Sequence, residues 1–243
     1  MSYSPAVLMV HGAQCRIQGG HGVDGVTEPT GLIEQFRAAP PGKLYGVRGD
    51  SSVYRLSLVA AGHALLQGIP VTLVDGSNRF DLYGLAEFAR RTAGGRCTPE
   101  ELLRHIFISR AFTCYQMEAV ITDRLPPFVR AKHSPVVLIF GLLDTFYDEQ
   151  APLWDVQSGV QRMMQALQCL KREGVSILVA STETGPVPPA RRGLLSGVMR
   201  GMDRVFAINQ QNSENGRLKA GNEGVSSDQG RWKTAGGRYA HPW

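Results

Sequence analysis

The sequence has no cysteine pair at C-x-x-C spacing, and its four cysteines, Cys15, Cys97, Cys114 and Cys169, are scattered. With six dispersed histidines, that excludes a zinc finger or ribbon on spacing, and reduced thiols are the expected state. No apolar run approaches the roughly 18 residues needed to cross a bilayer, so no membrane partner is expected. The start, Met1-Ser2-Tyr3-Ser4-Pro5, puts no basic flank ahead of Ala6-Val7-Leu8-Met9-Val10, a run too short for most signal-peptide cores. A cytoplasmic protein is expected, or a nuclear one in a eukaryote. G-x-S-x-G is missing too, which removes the hydrolase reading that His11-Gly12 would invite. Charged residues make up only 19% of the 243, against 43% hydrophobic. That is the balance of a globular chain with ample core.

The charge that is present is unevenly placed. The chain has 26 Lys/Arg and 21 Asp/Glu; residues 187–243 hold 9 and 4 of these, which leaves 17 of each sign to residues 1–186. The whole excess of +5 therefore lies in the last part. Such asymmetry marks either a nucleic-acid-facing surface or a solvated tail.

Apolar spacing alternates short buried-type runs with longer helical ones. Val71-Thr72-Leu73-Val74, Ile106-Phe107-Ile108, Val136 to Phe140, Val175 to Ala180 and Val205 to Ile208 read as strands. Between them, Tyr54 to Leu66, Leu82 to Arg91, Gln116 to Leu125 and Val156 to Arg172 read as helices, the third stopped by Pro126-Pro127. Thr98-Pro99-Glu100-Glu101 is a helix start with Thr as N-cap. Strands alternating with helices imply βαβ units and a mainly parallel sheet. Residues 1–210 are expected to form the core domain. Residues 211–243, rich in Gln, Asn, Ser, Gly and basic residues, are expected to be a polar extension.

Between the segment Lys43-Leu44-Tyr45 and the helix at Tyr54 lies Gly46-Val47-Arg48-Gly49-Asp50-Ser51-Ser52-Val53. This resembles a phosphate-binding loop stripped of its chemistry; the other reading is an ordinary strand-turn-helix junction containing Gly. A working loop reads G-x-x-x-x-G-K-[ST]: backbone amides cradle the phosphates, Lys reaches the β/γ-phosphates and Ser/Thr holds magnesium. Here Gly46 and Gly49 are present, but Ser51, Ser52 and Val53 stand at the second Gly, the Lys and the Ser/Thr.

The order of several segments resembles the ATPase core of the RecA/RadA recombinase superfamily, which includes KaiC-like proteins. They are Thr30-Gly31-Leu32-Ile33, Pro41 to Gly46, Val74-Asp75-Gly76-Ser77-Asn78-Arg79-Phe80, Ile108-Ser109-Arg110-Ala111-Phe112-Thr113 with Gln116, Val136 to Phe140, and Lys171 to Val175. The resemblance covers residues 28–210. It implies an α/β fold, a RecA-like P-loop core with a mainly parallel central sheet and helices on both faces.

It also shows systematic departures. The Glu that would orient water aligns with Ser77, the magnesium-side Asp with Gly141, and a Gln ending the last strand with Glu183. Phosphoryl transfer depends on this set, so no bound ATP or magnesium is expected. A shifted alignment makes Asp144, before Thr145, the metal-side acid; it leaves an ATPase with an unusual loop as a third reading. Asp148, Glu149 and Asp155 nearby read as a solvated loop and a helix N-terminus.

The resemblance implies a non-catalytic recombinase paralogue, a DNA- and partner-binding accessory factor in homologous recombination and repair. The alternative is an ATP-dead assembly or regulatory subunit, KaiC-like or Elongator-like, without DNA. Family members bind DNA through loops after the central and last catalytic strands. Arg191, Arg192 and Arg200 are the candidate phosphate contacts, and Arg231, Lys233 and Arg238 interleave with Trp232 and Tyr239 as a candidate stacking segment. Binding of single-stranded DNA without sequence preference is expected, with self-association or docking to a RecA-fold partner.

Overall fold

The computed structural model describes residues 29–37, 42–92, 97–147, 151–183 and 187–208. Arg231, Lys233 and Arg238, like Asp148 and Glu149, lie outside them. Six strands, β1 (Leu44–Gly49), β2 (Val71–Asp75), β3 (Ile106–Arg110), β4 (Val136–Phe140), β5 (Ser176–Thr182) and β6 (Arg204–Ile208), form one sheet in the order β3-β2-β4-β5-β1-β6. Every pairing is parallel. Helices α1 (Pro29–Arg37), α2 (Ser52–Leu65), α3 (Leu82–Thr92) and α4 (Pro99–Leu103) supply one apolar layer. Helices α5 (Cys114–Ala119), α6 (Leu125–Lys132), α7 (Leu153–Arg172) and α8 (Gly193–Arg200) supply the other.

The strands feed both layers by their period of two. Val136, Leu138 and Phe140 join the core with α1 to α4, whereas Val137 and Ile139 join the core with α5 to α8. This explains why β4 is apolar at every position: it is buried on both faces, as the inner strands of parallel sheets are. The expected start at Thr98 is a full capping box, with Thr98 accepting from the Glu101 amide and Glu101 accepting from the Thr98 amide.

The expected stop at Pro126-Pro127 is corrected. The helix runs on from α5 through a π-helical turn, Val120–Arg124, into α6, with the prolines in the first turn of α6. Proline breaks a helix by lacking a donor and crowding the preceding turn. Along this continuous helix each proline costs one backbone donor, and the wider π turn before them makes room for the rings.

Candidate functional site

In open parallel sheets, ligands bind outside the carboxyl ends of the strands, where neighbouring connections leave to opposite faces. Here β1 leads into α2 on one face, and adjacent β5 leads into α8 on the other. The ends of β1, β2, β4 and β5 are therefore the place to look.

The β1 end differs from the expected loop. Gly46 lies inside β1, opposite Val179 of β5 and Val205 of β6. A Cβ there would sit 2.6 Å from the Met199 sulfur, so this glycine lets α8 pack close to the sheet. Gly49 ends the strand, and a Cβ on it would lie 2.1 Å from the Ile208 carbonyl oxygen. Only Asp50 and Ser51 connect β1 to α2. Asp50 Oδ1 accepts the Ser52 amide at 2.7 Å, and its backbone oxygen accepts the Val53 amide at 3.2 Å. The chain's own carboxylate thus sits on the α2 N-terminus, where a phosphate would need free amides and positive potential. Ser51 and Ser52 are exposed, and Val53 is fully buried in the core.

At the end of β2, Asp75 is 1% exposed and wholly engaged. Its oxygens accept the Ser77 amide and hydroxyl and the Arg79 and Phe80 amides at 3.0–3.2 Å. It shapes the β2–α3 connection and has no oxygen to spare for a ligand.

At the end of β4, Gly141 has a positive φ of 61°. Asp144 begins a 3-10 turn, Asp144–Tyr147, that folds its carboxylate back over Gly141. A Cβ at position 141 would meet Asp144 Oδ2 at 2.5 Å and the Ser77 Cβ at 2.6 Å. The space a side chain at the strand end would take is thus filled by Asp144, three residues on. Both alignments weighed for the metal-side acid therefore lead to the same spot.

The Tyr54 hydroxyl, from α2, donates to Asp144 Oδ2 at 3.4 Å. Burial raises the Asp144 carboxyl above the usual carboxylate range, against the pull of Tyr54 and Arg79. Burial, then the Asp144 charge, raises the Tyr54 phenol, and the same causes push Tyr147 up to about 12. The site presents a carboxyl and tyrosine hydroxyls, the reverse of a cation-rich phosphate cradle. Among the described residues, no group of three His, Cys, Asp or Glu is placed to hold a metal ion.

Because its folded value lies above the ordinary one, Asp144 favours the fold when protonated. That contribution is full below the unfolded carboxylate value and is lost as pH rises through the folded value. Asp144→Asn keeps an acceptor for Tyr54 and removes the charge. The variant is expected to be more stable than wild type at neutral pH, with the difference shrinking into acid, as read by denaturant midpoints. A pH-independent difference would contradict this account.

Of the candidate phosphate contacts, Arg192 and Arg200 are exposed at the two ends of α8. Arg191 is not a surface cation, which corrects that expectation. It is 4% exposed, and its Nη1 and Nη2 donate to the Phe146 and Ala151 carbonyls at 2.6 and 2.5 Å. A basic doublet in a loop reads alike whether it faces water or carbonyls.

A second feature went unseen in the sequence. Among the described residues, β3 is an edge strand, paired only with β2. Beside it, Thr72, Val74, Phe107, Ile108, Leu125 and Phe128 line a groove of about 280 Å³, with Ile108 43% and Phe128 37% exposed. Arg124 also lines it, Arg110 ends β3, and the Lys132 Nζ lies 5.3 Å from the Phe107 ring centroid. None of the three forms an ion pair among the described residues. The apolar run Ile106-Phe107-Ile108 is the signal for the strand; edge position depends on strand order. The sequence matches no protein-family model and no curated protein.

Proposed function

We propose that the chain is a non-catalytic RecA-like paralogue that works by binding a protein partner and DNA, an accessory factor in recombination and repair. The parallel sheet with helices on both faces and the direct strand–turn–helix passage from β1 to α2 support the RecA-like reading. Asp50 on the α2 N-terminus and the uncharged Ser51-Ser52-Val53 support the loss of nucleotide chemistry. No helix among the described residues is long and apolar enough to cross a membrane.

The partner-binding half rests on the β3 edge. Unpaired edge strands invite another strand, and natural proteins usually cover or charge them. This edge instead adjoins an apolar groove with a basic rim. Its occupant is an extended partner segment that adds to β3 by backbone hydrogen bonds, seats an aromatic or branched side chain in the groove and carries acidic flanks.

Labelled extended peptides with such an anchor test this, with basic-flanked versions as controls. Acidic-flanked peptides are expected to bind, equally with or without ATP and magnesium, and Ile108→Glu is expected to weaken them at least about tenfold by putting a like charge in the groove. Binding indifferent to flank charge and to Ile108→Glu overturns the docking site. Magnesium-dependent ATP turnover abolished by Asp144→Ala overturns the non-catalytic reading. The inward Arg191 favours a second reading, an assembly subunit without DNA. Binding of single-stranded DNA separates the two.

A further inference from the structure

The α2–α3 side of the sheet carries a cleft of about 560 Å³ that none of these roles uses. Leu58 and Phe88 line it, with Arg55 of α2 and Arg90 of α3. Tyr83, in the first turn of α3, is 84% exposed among the lining residues.

Each acid in the cleft has a hydrogen-bond partner, though Asp81 keeps its charge. Asp81 Oδ1 accepts the Gly84 amide at 2.9 Å, at the start of α3, and Glu87 pairs with Arg91 at 3.3 Å. Arg55 and Arg90 have no such partner among the described residues. Two guanidiniums without an ion-pair partner thus line the cleft beside apolar side chains and an exposed aromatic face, and Arg55, Arg90 and Arg91 outnumber the two acids. That combination, a cationic groove with a ring to stack on, suits single-stranded nucleic acid.

We infer that this cleft binds single-stranded nucleic acid, with backbone phosphates on Arg55 and Arg90 and a base stacked on Tyr83. The inference rests on the DNA-binding reading and moves its contacts away from the region after Pro186. Guanidinium forks suit phosphate oxygens, and a stacking ring reads no sequence, so binding is tolerant of base identity.

The test is fluorescence anisotropy of a labelled oligothymidylate with the full chain across a salt series. Arg55, Tyr83 and Arg90 are exposed, so their variants are expected to fold, checked by thermal melts. Arg55→Ala with Arg90→Ala is expected to lower the salt slope by about 1.4, at about 0.7 for each single-strand phosphate contact. Tyr83→Ala is expected to weaken binding about tenfold at every salt concentration, whereas Tyr83→Phe, which keeps the ring, is not. Arg192→Ala with Arg200→Ala is expected to leave the slope unchanged. Undiminished binding by the cleft variants overturns the inference and leaves the DNA-binding reading standing. No binding by wild type even at low salt overturns both.

Discussion

Asp75→Ala is expected to destabilise the fold by about 4 kcal/mol, because it strips partners from three backbone amides and a hydroxyl at once. Two physical facts set the size. The carboxylate is nearly inaccessible to water, at 1% exposure, so water cannot readily replace it. The Ser77, Arg79 and Phe80 amides all point at it, so each becomes an unsatisfied donor when it goes. In a domain of this size, that loss corresponds to a melting temperature lower by about 10 °C. Asp75→Asn keeps one acceptor oxygen but turns an NH2 towards donors, so it is expected to lose about half as much.

The consequence reaches the strand-end cluster. Ser77 packs against Gly141 beneath the Asp144 carboxylate, and the loop that holds Ser77 there is built on Asp75. Asp75→Ala is therefore also expected to loosen the Tyr54–Asp144 pair, seen as a weaker pH dependence of stability than wild type shows. A variant that melts within a couple of degrees of wild type would mean that the β2–α3 connection finds other acceptors.

Much of the architecture was legible because it follows from local rules. The unbroken apolar run at Val136–Phe140 required burial on both faces, and the structure puts β4 between β2 and β5. The capping residues at Thr98 and Glu101 satisfied each other as their spacing required. The candidate site was less legible because its features depend on contacts far apart in sequence. Gly46 looked like a loop glycine, since nothing local tells that Met199 of α8 crosses over it. The strand-end acid was sought at position 141 or, by a shifted alignment, at 144, and nothing local tells that a left-handed glycine and a tight turn bring the Asp144 carboxylate over Gly141. The β3 groove was hidden because edge position depends on strand order, which the run Ile106-Phe107-Ile108 does not fix.

Arg191→Ala is the second large effect, expected at roughly 3 kcal/mol, since two buried carbonyls each lose a charge-assisted donor. The guanidinium reaches from the 3-10 turn Pro189–Arg191 to the carbonyls of Phe146 and Ala151, which stand on either side of residues 148–150. One side chain thus ties the connection after β5 to the start of α7. Arg191→Lys is expected to recover only part of the loss, because a single ammonium lacks the planar fork that serves two acceptors at once. The contrast with its neighbour decides the role. Arg192→Ala, at an exposed position, is expected to change stability by less than about 0.5 kcal/mol. Denaturant unfolding of the three variants reads the stability differences. The salt slope of oligonucleotide binding, measured well below the lower melting temperature, reads the other possible role of Arg191. An unchanged slope with a lowered midpoint is the result for a carbonyl clamp. A reduced slope with an unchanged midpoint would return Arg191 to the list of phosphate contacts, because its guanidinium would then be serving phosphate rather than the Phe146 and Ala151 carbonyls.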